Sequence, residues 1–325
     1  MKVLYIFREK ERKAHSIELL FDAISTEVSK SNIQIAKWYK PLSKIKSIVE
    51  VKKLKADVYH ITGDCYYLAL FLPKNRTIMT IHDIGMYKNH PKTWKRKLFV
   101  YFSFVLPMKR LRMATAISEL TKSDLVDLLN IPAQKIKVIP NPLVFDIPYS
   151  TKEFNEIKPR ILQIGTGDHK NLIGLIEAVR DIPCIIDIVG SPSQKLQQKM
   201  KEYNIEFEIS SQISNEELLN KYKNCDILYF ASLSEGFGLP ILEAQAMGRV
   251  VITSNTEPTK SVCAAGGILV DPADYEQIRK GILILINNPN LRQRLIIQGL
   301  SNVRKYDRKS ISNRYIQLYN ELIHG

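Results

Sequence analysis

Two glutamates eight positions apart, Glu235 and Glu243, flank a glycine-rich turn at 236–238. The apolar run 226–232 before the turn predicts a buried strand, and the segment 240–247 after it predicts a helix. Open α/β sheets bind ligands at such points, where the carboxyl end of a strand meets the amino end of a helix. Two carboxylates there can accept hydrogen bonds from neighbouring hydroxyl groups, as on a hexose or a ribose.

A simpler interpretation of each glutamate alone is also open. Glu243 could only favour the amino end of its helix through the helix dipole, and Glu235 could be a solvated loop charge. The two glycines and Pro240 favour a ligand site, because glycine permits close backbone approach and proline is tolerated in the first helical turn. The free N–H groups of the turn would then act as donors.

The segment from Glu235 to Ala244, EGFGLPILEA, resembles the Glu-x7-Glu motif of the retaining glycosyltransferases of family 4. The resemblance covers almost the whole chain and implies the α/β fold called GT-B, with two Rossmann-like domains facing across a cleft and a C-terminal helix returning to the first domain. It implies that Glu235 contacts the donor sugar and Glu243 the nucleotide ribose. The turn residues beside the sugar would be Gly236, Phe237, Gly238 and Leu239.

A second glycine-rich turn follows the predicted strand 160–164 and suits a phosphate group. Its candidate donor-binding residues are Gly165, Thr166, Gly167, Lys170 and Asn171. The resemblance places Lys170, followed by Asn171, against the donor diphosphate, whereas the residues alone allow an ordinary surface lysine. Family members usually carry an arginine a few positions before this lysine, and 166–169 contain none.

The first half of the chain offers further candidates. His82 and Asp83 follow the predicted strand 77–81, and the resemblance implies that His82 lies against the donor sugar, although a lone histidine is more often a packing residue. His60, inside another strand, is expected in the core. The first turn contains no glycine, so Arg12 and Lys13 are interpreted as contacts to an anionic acceptor, together with Asp83, or as solvated charges.

Strand-like and amphipathic runs alternate along both halves, which is typical of parallel sheets with crossover helices. We predict domains at 1–150 and 151–308, with a C-terminal helix at 309–325 packing back on the first domain. The four cysteines show no metal-ligand spacing, which favours a reduced, cytoplasmic protein. No export signal and no membrane-spanning run is recognised.

The net charge of +14 is concentrated in the first half, where residues 1–150 hold 26 Lys and Arg against 13 Asp and Glu. An anionic partner explains this asymmetry better than overall composition does. The basic and aromatic segment 92–112 fits equally a normal domain helix or a helix resting on an anionic membrane surface. Nucleic acid is not expected, since no binding motif is recognised.

The resemblance implies transfer of a hexose from a nucleotide-diphosphate sugar to a glycan or lipid-linked glycan, with retention and without cofactor or metal. Glu235, His82 and Lys170 are the candidate catalytic residues. Cell-surface polysaccharide synthesis at the inner membrane face is the expected setting. Two alternatives stay open: a nucleotide-sugar epimerase of the same fold, and a non-catalytic partner subunit that binds nucleotide or glycan.

Overall fold

A computed structural model of the 325-residue chain describes residues 1–9, 16–84 and 93–324. The chain divides into two compact units, Met1–Val144 with Tyr306–Gly325, and Phe145–Lys305. Within the described residues each unit contains one six-stranded sheet whose strands all pair in parallel. The predicted α/β fold class is therefore confirmed, while the predicted domain boundaries stay predictions.

Four of the six strands of the first unit, at 2–7, 58–61, 77–81 and 114–116, are almost entirely buried, as expected for the centre of a parallel sheet covered on both faces. Its strands are β1 (Lys2–Phe7), β2 (Gln34–Tyr39), β3 (Val58–Ile61), β4 (Thr77–Ile81), β5 (Ala114–Ala116) and β6 (Ile136–Val138). Their order across the sheet is β2-β1-β3-β4-β5-β6. Its helices are α1 (Ser16–Ser29), α2 (Lys44–Val51), α3 (Trp94–Val100), α4 (Leu106–Arg110) and α5 (Glu119–Leu129), with a π-helical turn, Tyr101–Val105, between α3 and α4.

Local signals in the sequence explain where α5 begins and ends. The Ser118 hydroxyl accepts a hydrogen bond from the Thr121 N–H and so caps the start of the helix. Asn130 takes the left-handed conformation, with φ of 53°, and ends the helix.

The last helix of the chain, α13 (Arg308–His324), belongs to the first unit and packs on α1. Its buried side chains share a core with those of β1 and α1, and they are Ile311, Tyr315, Leu318, Tyr319 and Leu322. The predicted return of the C-terminal helix to the first domain is confirmed.

The second unit repeats this architecture. Its strands are β7 (Arg160–Ile164), β8 (Ile185–Val189), β9 (Glu206–Ser210), β10 (Ile227–Phe230), β11 (Val250–Ser254) and β12 (Ile268–Val270). Their order is β12-β11-β10-β7-β8-β9. Its helices are α6 (Leu172–Ala178), α7 (Gln194–Glu202), α8 (Asn215–Asn224), α9 (Leu239–Met247), α10 (Thr259–Cys263), α11 (Tyr275–Asn287) and α12 (Pro289–Val303).

Two strands, β2 and β12, were not predicted from the sequence. Both lie at the edge of their sheet, and both are less buried than the central strands. An edge strand does not need the continuous apolar run that marks a central parallel strand, so its sequence signal is weaker. No helix in the described part of the chain is both long and apolar enough to cross a membrane.

Candidate functional site

The strand order of the second unit changes direction between β7 and β10. The chain runs from β7 outwards to β8 and β9, and then continues on the other side of β7 with β10. Ligands of open α/β sheets bind at such a switch point, beyond the carboxyl ends of the two strands. The loops that follow β7 and β10, residues 165–171 and 231–238, are the two glycine-rich turns that the sequence singled out.

The loop after β7 is held in shape by a buried glutamine in the strand itself. The Gln163 carboxamide nitrogen donates to the carbonyl oxygens of Gly165 and Lys170, at 3.0 and 3.1 Å. Gly165 has a φ of 85°, and a Cβ there would lie 3.1 Å from the Lys170 side chain. The Thr166 hydroxyl accepts from the Ser191 N–H at 3.1 Å. Glycine at 165 thus lets the lysine side chain lie against the loop backbone.

Asn171 joins this loop to the neighbouring strand. Its buried side-chain nitrogen donates to the Tyr229 hydroxyl and to the carbonyls of Ala231 and Pro272, at 3.2, 3.0 and 2.7 Å. Its side-chain oxygen accepts from the Gly174 N–H and caps α6. These contacts support a positioning role for the side chain, and the predicted contact with the donor stays a prediction.

An ion pair connects the two loops. Lys170 Nζ lies 2.6 Å from Glu235 Oε1 and 4.7 Å from the centre of the Phe230 ring. The Leu233 N–H also donates to the His169 carbonyl at 2.8 Å. The Lys170 and Glu235 side chains are only 20% and 12% exposed, which argues against solvated surface charges. Two of the predicted catalytic residues therefore meet at the switch point.

The turn after Glu235 has the predicted strand-to-helix geometry. Gly238, with a φ of 117°, immediately precedes α9, and Pro240 lies in the first helical turn. Phe237 is buried, and Gly248 ends the helix in the left-handed conformation. The turn thus buries Phe237 and Gly238, while Gly236 and Leu239 stay partly exposed.

Glu243 is buried within α9 and bonded to the neighbouring helix. The Tyr222 hydroxyl of α8 donates to Glu243 Oε2 at 2.5 Å. Burial raises the pKa of the Glu243 carboxyl, and the hydrogen bond from Tyr222 opposes that rise. Glu243 is therefore not a solvated charge that only favours the helix end. Glu243 bonds to Tyr222 and takes no part in the Lys170–Glu235 pair.

In the first unit His82 follows β4 and is partly buried. Its Nε2–H donates to the Thr62 carbonyl at 2.8 Å, and its ring meets Phe21 edge-on. Burial lowers the pKa of His82, so the ring is uncharged at neutral pH. His60 is a core residue, as predicted, and bonds to the Tyr319 hydroxyl and Thr80 Oγ1 at 2.7 Å each.

A cavity of about 430 Å³ lies beyond the carboxyl ends of β1 to β4. Asp83, a predicted acceptor contact, lines it together with Asp64, Lys40, Lys44 and Tyr66. Its walls thus combine charged and aromatic groups, which suits a polar ligand with an apolar portion. The other two predicted acceptor contacts, Arg12 and Lys13, lie outside the described residues.

Sequence reasoning missed two residues that shape the site. The sequence could have indicated Gln163, since a carboxamide inside a buried strand must find hydrogen-bond partners. Nothing in the sequence indicates Tyr222, because its contact with Glu243 joins two helices. In the part of the chain that the structure describes, no group of three or more His, Cys, Asp or Glu is placed to hold a metal ion.

Two protein-family models match this chain, one in each half. The family model described as "Glycosyltransferase Family 4" matches residues 11–145, and the one described as "Glycosyl transferases group 1" matches residues 150–301. The chain belongs to glycosyltransferase family 4. The second match contains both glycine-rich loops and both glutamates.

Curated relatives of this glycosyltransferase include two O-antigen enzymes. It is 26% identical over 293 residues to O-antigen chain mannosyltransferase B of Escherichia coli, covering 83% of this chain and 75% of the relative. It is 28% identical over 224 residues to O-antigen chain mannosyltransferase RfbU of Salmonella typhimurium, covering 65% of this chain and 61% of the relative.

Solved structures show the same GT-B fold at low sequence identity. Sucrose-phosphate synthase of Thermosynechococcus elongatus superposes with a TM-score of 0.80 at 16% identity, covering 99% of both chains. HepE of Anabaena, in complex with UDP and glucose, superposes with a TM-score of 0.77 at 15% identity, covering 99% of this chain and 100% of the other.

Proposed function

We propose that this family 4 glycosyltransferase moves a hexosyl group from a nucleotide-diphosphate sugar to a hydroxyl group of a glycan or lipid-linked glycan, with retention of anomeric configuration. The observation that carries the proposal is the Lys170–Glu235 ion pair at the switch point of the second sheet. It supplies a cation for a leaving diphosphate and a carboxylate for sugar hydroxyl groups within hydrogen-bond distance of each other.

The reaction breaks the bond between the anomeric carbon and the diphosphate oxygen and forms a bond from that carbon to the acceptor oxygen. The acceptor proton passes to the departing phosphate on the same face of the sugar, which accounts for retention without a protein nucleophile. Lys170 stabilises the charge that develops on the phosphate. No step in this scheme requires a metal ion or a cofactor.

Glu235 has two roles in the scheme. In the free enzyme it pairs with Lys170 and holds the ammonium group beside the Phe230 ring. With donor bound, its carboxylate accepts hydrogen bonds from the sugar, while the amides of 236–239 donate hydrogen bonds to the sugar. Glu243 binds the ribose hydroxyl groups, and the loop 165–167 provides N–H groups to the diphosphate, with Asn171 fixing its position.

The first unit supplies the acceptor side. The neutral His82 can exchange hydrogen bonds with the donor sugar, and Asp83 lines the cavity of about 430 Å³ that we assign to the acceptor. The names of the two O-antigen relatives support a role in cell-surface polysaccharide synthesis, with mannosyl donors as the first to test. We place the enzyme in the cytoplasm, where nucleotide sugars are available.

The test compares the Lys170–Glu235 pair with a matched pair in the same unit. Lys199 and Glu177 also form an ion pair, and both residues lie outside the two loops. We expect Lys170→Met and Glu235→Gln to lower kcat by about 100- to 1,000-fold, the usual loss when one group that stabilises transition-state charge is removed. Lys199→Met and Glu177→Gln should stay within about twofold of wild type.

Product analysis completes the test. Transfer should require an acceptor, yield the same anomer as the donor by NMR, and persist in EDTA. Turnover of the donor sugar without acceptor would instead indicate an epimerase. Normal transfer by Lys170→Met would refute the role assigned to the ion pair, and absence of any nucleotide-sugar turnover would refute the enzymatic proposal.

A further inference from the structure

Arg249 is a buried cation between the ends of two helices of the second unit. It follows Gly248, the residue that ends α9, and is only 4% exposed. Arginine is seldom buried this deeply unless its donors find partners. Here the guanidinium donates hydrogen bonds to five main-chain carbonyl oxygens, at 2.8 to 3.2 Å. They are the carbonyls of Ser150, Tyr222, Lys223, Met247 and Gly248.

The five carbonyls belong to three separate segments. Two lie in the last turn of α8, two at the end of α9, and one in the segment before β7. The last carbonyl groups of a helix have no partner within the helix, and the helix dipole favours a cation beside them. A single side chain therefore fastens the ends of α8 and α9 to each other.

The same arginine fixes Tyr222, the residue that bonds to Glu243. The Tyr222 carbonyl accepts from Arg249 Nε–H at 3.1 Å, and the Tyr222 hydroxyl donates to Glu243 Oε2 at 2.5 Å. Glu243 lies on α9, and the Arg249 N–H donates to the Ala244 carbonyl of that helix at 2.8 Å. The contacts close a ring from Arg249 through Tyr222 to Glu243 and back along α9. A change at Arg249 should therefore shift Tyr222 relative to Glu243.

We propose that Arg249 is a positioning residue for nucleotide binding, which holds Glu243 Oε1 where a ribose hydroxyl group can reach it. The inference rests on the proposed function, in which Glu243 binds the ribose. The Tyr222 hydroxyl occupies Oε2 and orients the carboxylate, and Arg249 fixes the place of Tyr222. Arg249 follows the end of α9, whereas the glycine-rich turn precedes its start. It therefore acts on the site through the two helices and not by contact with the nucleotide.

Arg292 provides a matched control for a purely structural role. It is 8% exposed, and its guanidinium donates to the carbonyls of Leu285 and Ile286 in the last turn of α11, at 2.7 Å each. It is thus also a buried arginine that bonds to a helix end, but α11 carries none of the candidate site residues. Substitution of either arginine should lower stability, and only substitution of Arg249 should change the recognition of the ribose.

Titration calorimetry with UDP, GDP and their 2′-deoxy forms tests this difference. The readout is the ratio of the Kd of the 2′-deoxy nucleotide to the Kd of the ribonucleotide. For wild type we expect a ratio of about ten or more, because the 2′-deoxy form leaves a charged acceptor without its hydroxyl partner. Glu243→Gln and Arg249→Met should each lower the ratio to about three, since the carboxylate is absent in one variant and displaced in the other. Arg292→Met should keep the wild-type ratio.

Two further variants show whether Arg249 acts through Glu243. Adding Arg249→Met to Glu243→Gln should lower the ratio no further, because both changes remove the same interaction. Arg249→Lys keeps the charge but has three donors for the five carbonyls, so its ratio should fall to about five. It is also the milder variant if Arg249→Met does not fold, which urea unfolding will show.

The possible outcomes separate this inference from the proposed function. A wild-type ratio in the Arg249 variants, an equal loss in Arg292→Met, or an additive loss in the double variant would overturn the positioning role alone. If neither Arg249 variant folds, the guanidinium is required by the fold itself, and a positioning role is likewise overturned. If wild type binds neither nucleotide, or if Glu243→Gln keeps the wild-type ratio, the proposed role of Glu243 is wrong and the positioning role fails with it.

Discussion

The buried contact between Tyr222 and Glu243 gives a prediction about the pH dependence of stability and about nucleotide binding. Glu243 is buried in α9, and burial raises the pKa of its carboxyl above the ordinary 4.5. The folded state therefore binds the Glu243 proton more tightly than the unfolded chain does. The free energy of unfolding of wild type, measured relative to Glu243→Gln, should fall as pH rises from 4.5 through the raised pKa.

Tyr222→Phe measures the hydrogen bond itself. At pH 8 the bond joins a hydroxyl group to a buried carboxylate at 2.5 Å, and such bonds to charged groups contribute about 1.5–3 kcal/mol. In the Glu243→Gln background the same hydroxyl faces a neutral amide, and its loss should cost about 0.5–1.5 kcal/mol. The double-mutant cycle should therefore give a coupling free energy of about 1 kcal/mol.

Urea unfolding at pH 4.5 and pH 8 measures the stability side of this prediction, with unchanged m-values as the control for an intact native state. Calorimetric titration with a nucleoside diphosphate measures the binding side. Glu243→Gln should bind about tenfold more weakly, because a hydroxyl group loses a charged acceptor. A stability difference that does not change with pH, or a Tyr222→Phe cost that is equal in both backgrounds, would refute the reasoning.

Two further predictions concern backbone strain and a buried histidine. Gly238→Ala should lower the free energy of unfolding by about 1–2 kcal/mol, because φ is 117° and the new Cβ would lie 3.1 Å from Ile241 Cδ1. Gly281→Ala inside α11, where the nearest contacts of a Cβ are at 3.4 Å, should be neutral or stabilising. Both variants are measured in the same thermal unfolding assay. Equal losses in the two variants would contradict this account. Burial lowers the pKa of His60 from 6.5 to about 3. Between pH 6.5 and pH 3 the unfolded chain therefore binds a proton at His60 that the folded chain does not bind. The free energy of unfolding falls as the pH drops through this range. His60→Gln should remove that part of the slope in denaturant titrations at pH 7, 5 and 4, and an unchanged slope would show that other groups cause it.

Much of the fold follows from local sequence patterns. The central strands are continuous apolar runs, the cap at Ser118 sets the start of α5, and the glycines at 238 and 248 bound α9. Each of these signals acts within a few residues, which is why it can be read without a structure. The edge strands β2 and β12 have a weaker signal, because they are less buried than the central strands and do not need a long apolar run.

The candidate site divides in the same way. The sequence alone determined the type and spacing of Glu235, Glu243 and Lys170 and their place after predicted strands. Only the tertiary structure decided which of them meet, because 65 positions separate Lys170 from Glu235 and the order of β7 and β10 in the sheet brings them to 2.6 Å. The same packing buried Glu243 against Tyr222, since helix-to-helix contacts depend on how two elements pack and leave no pattern within either one.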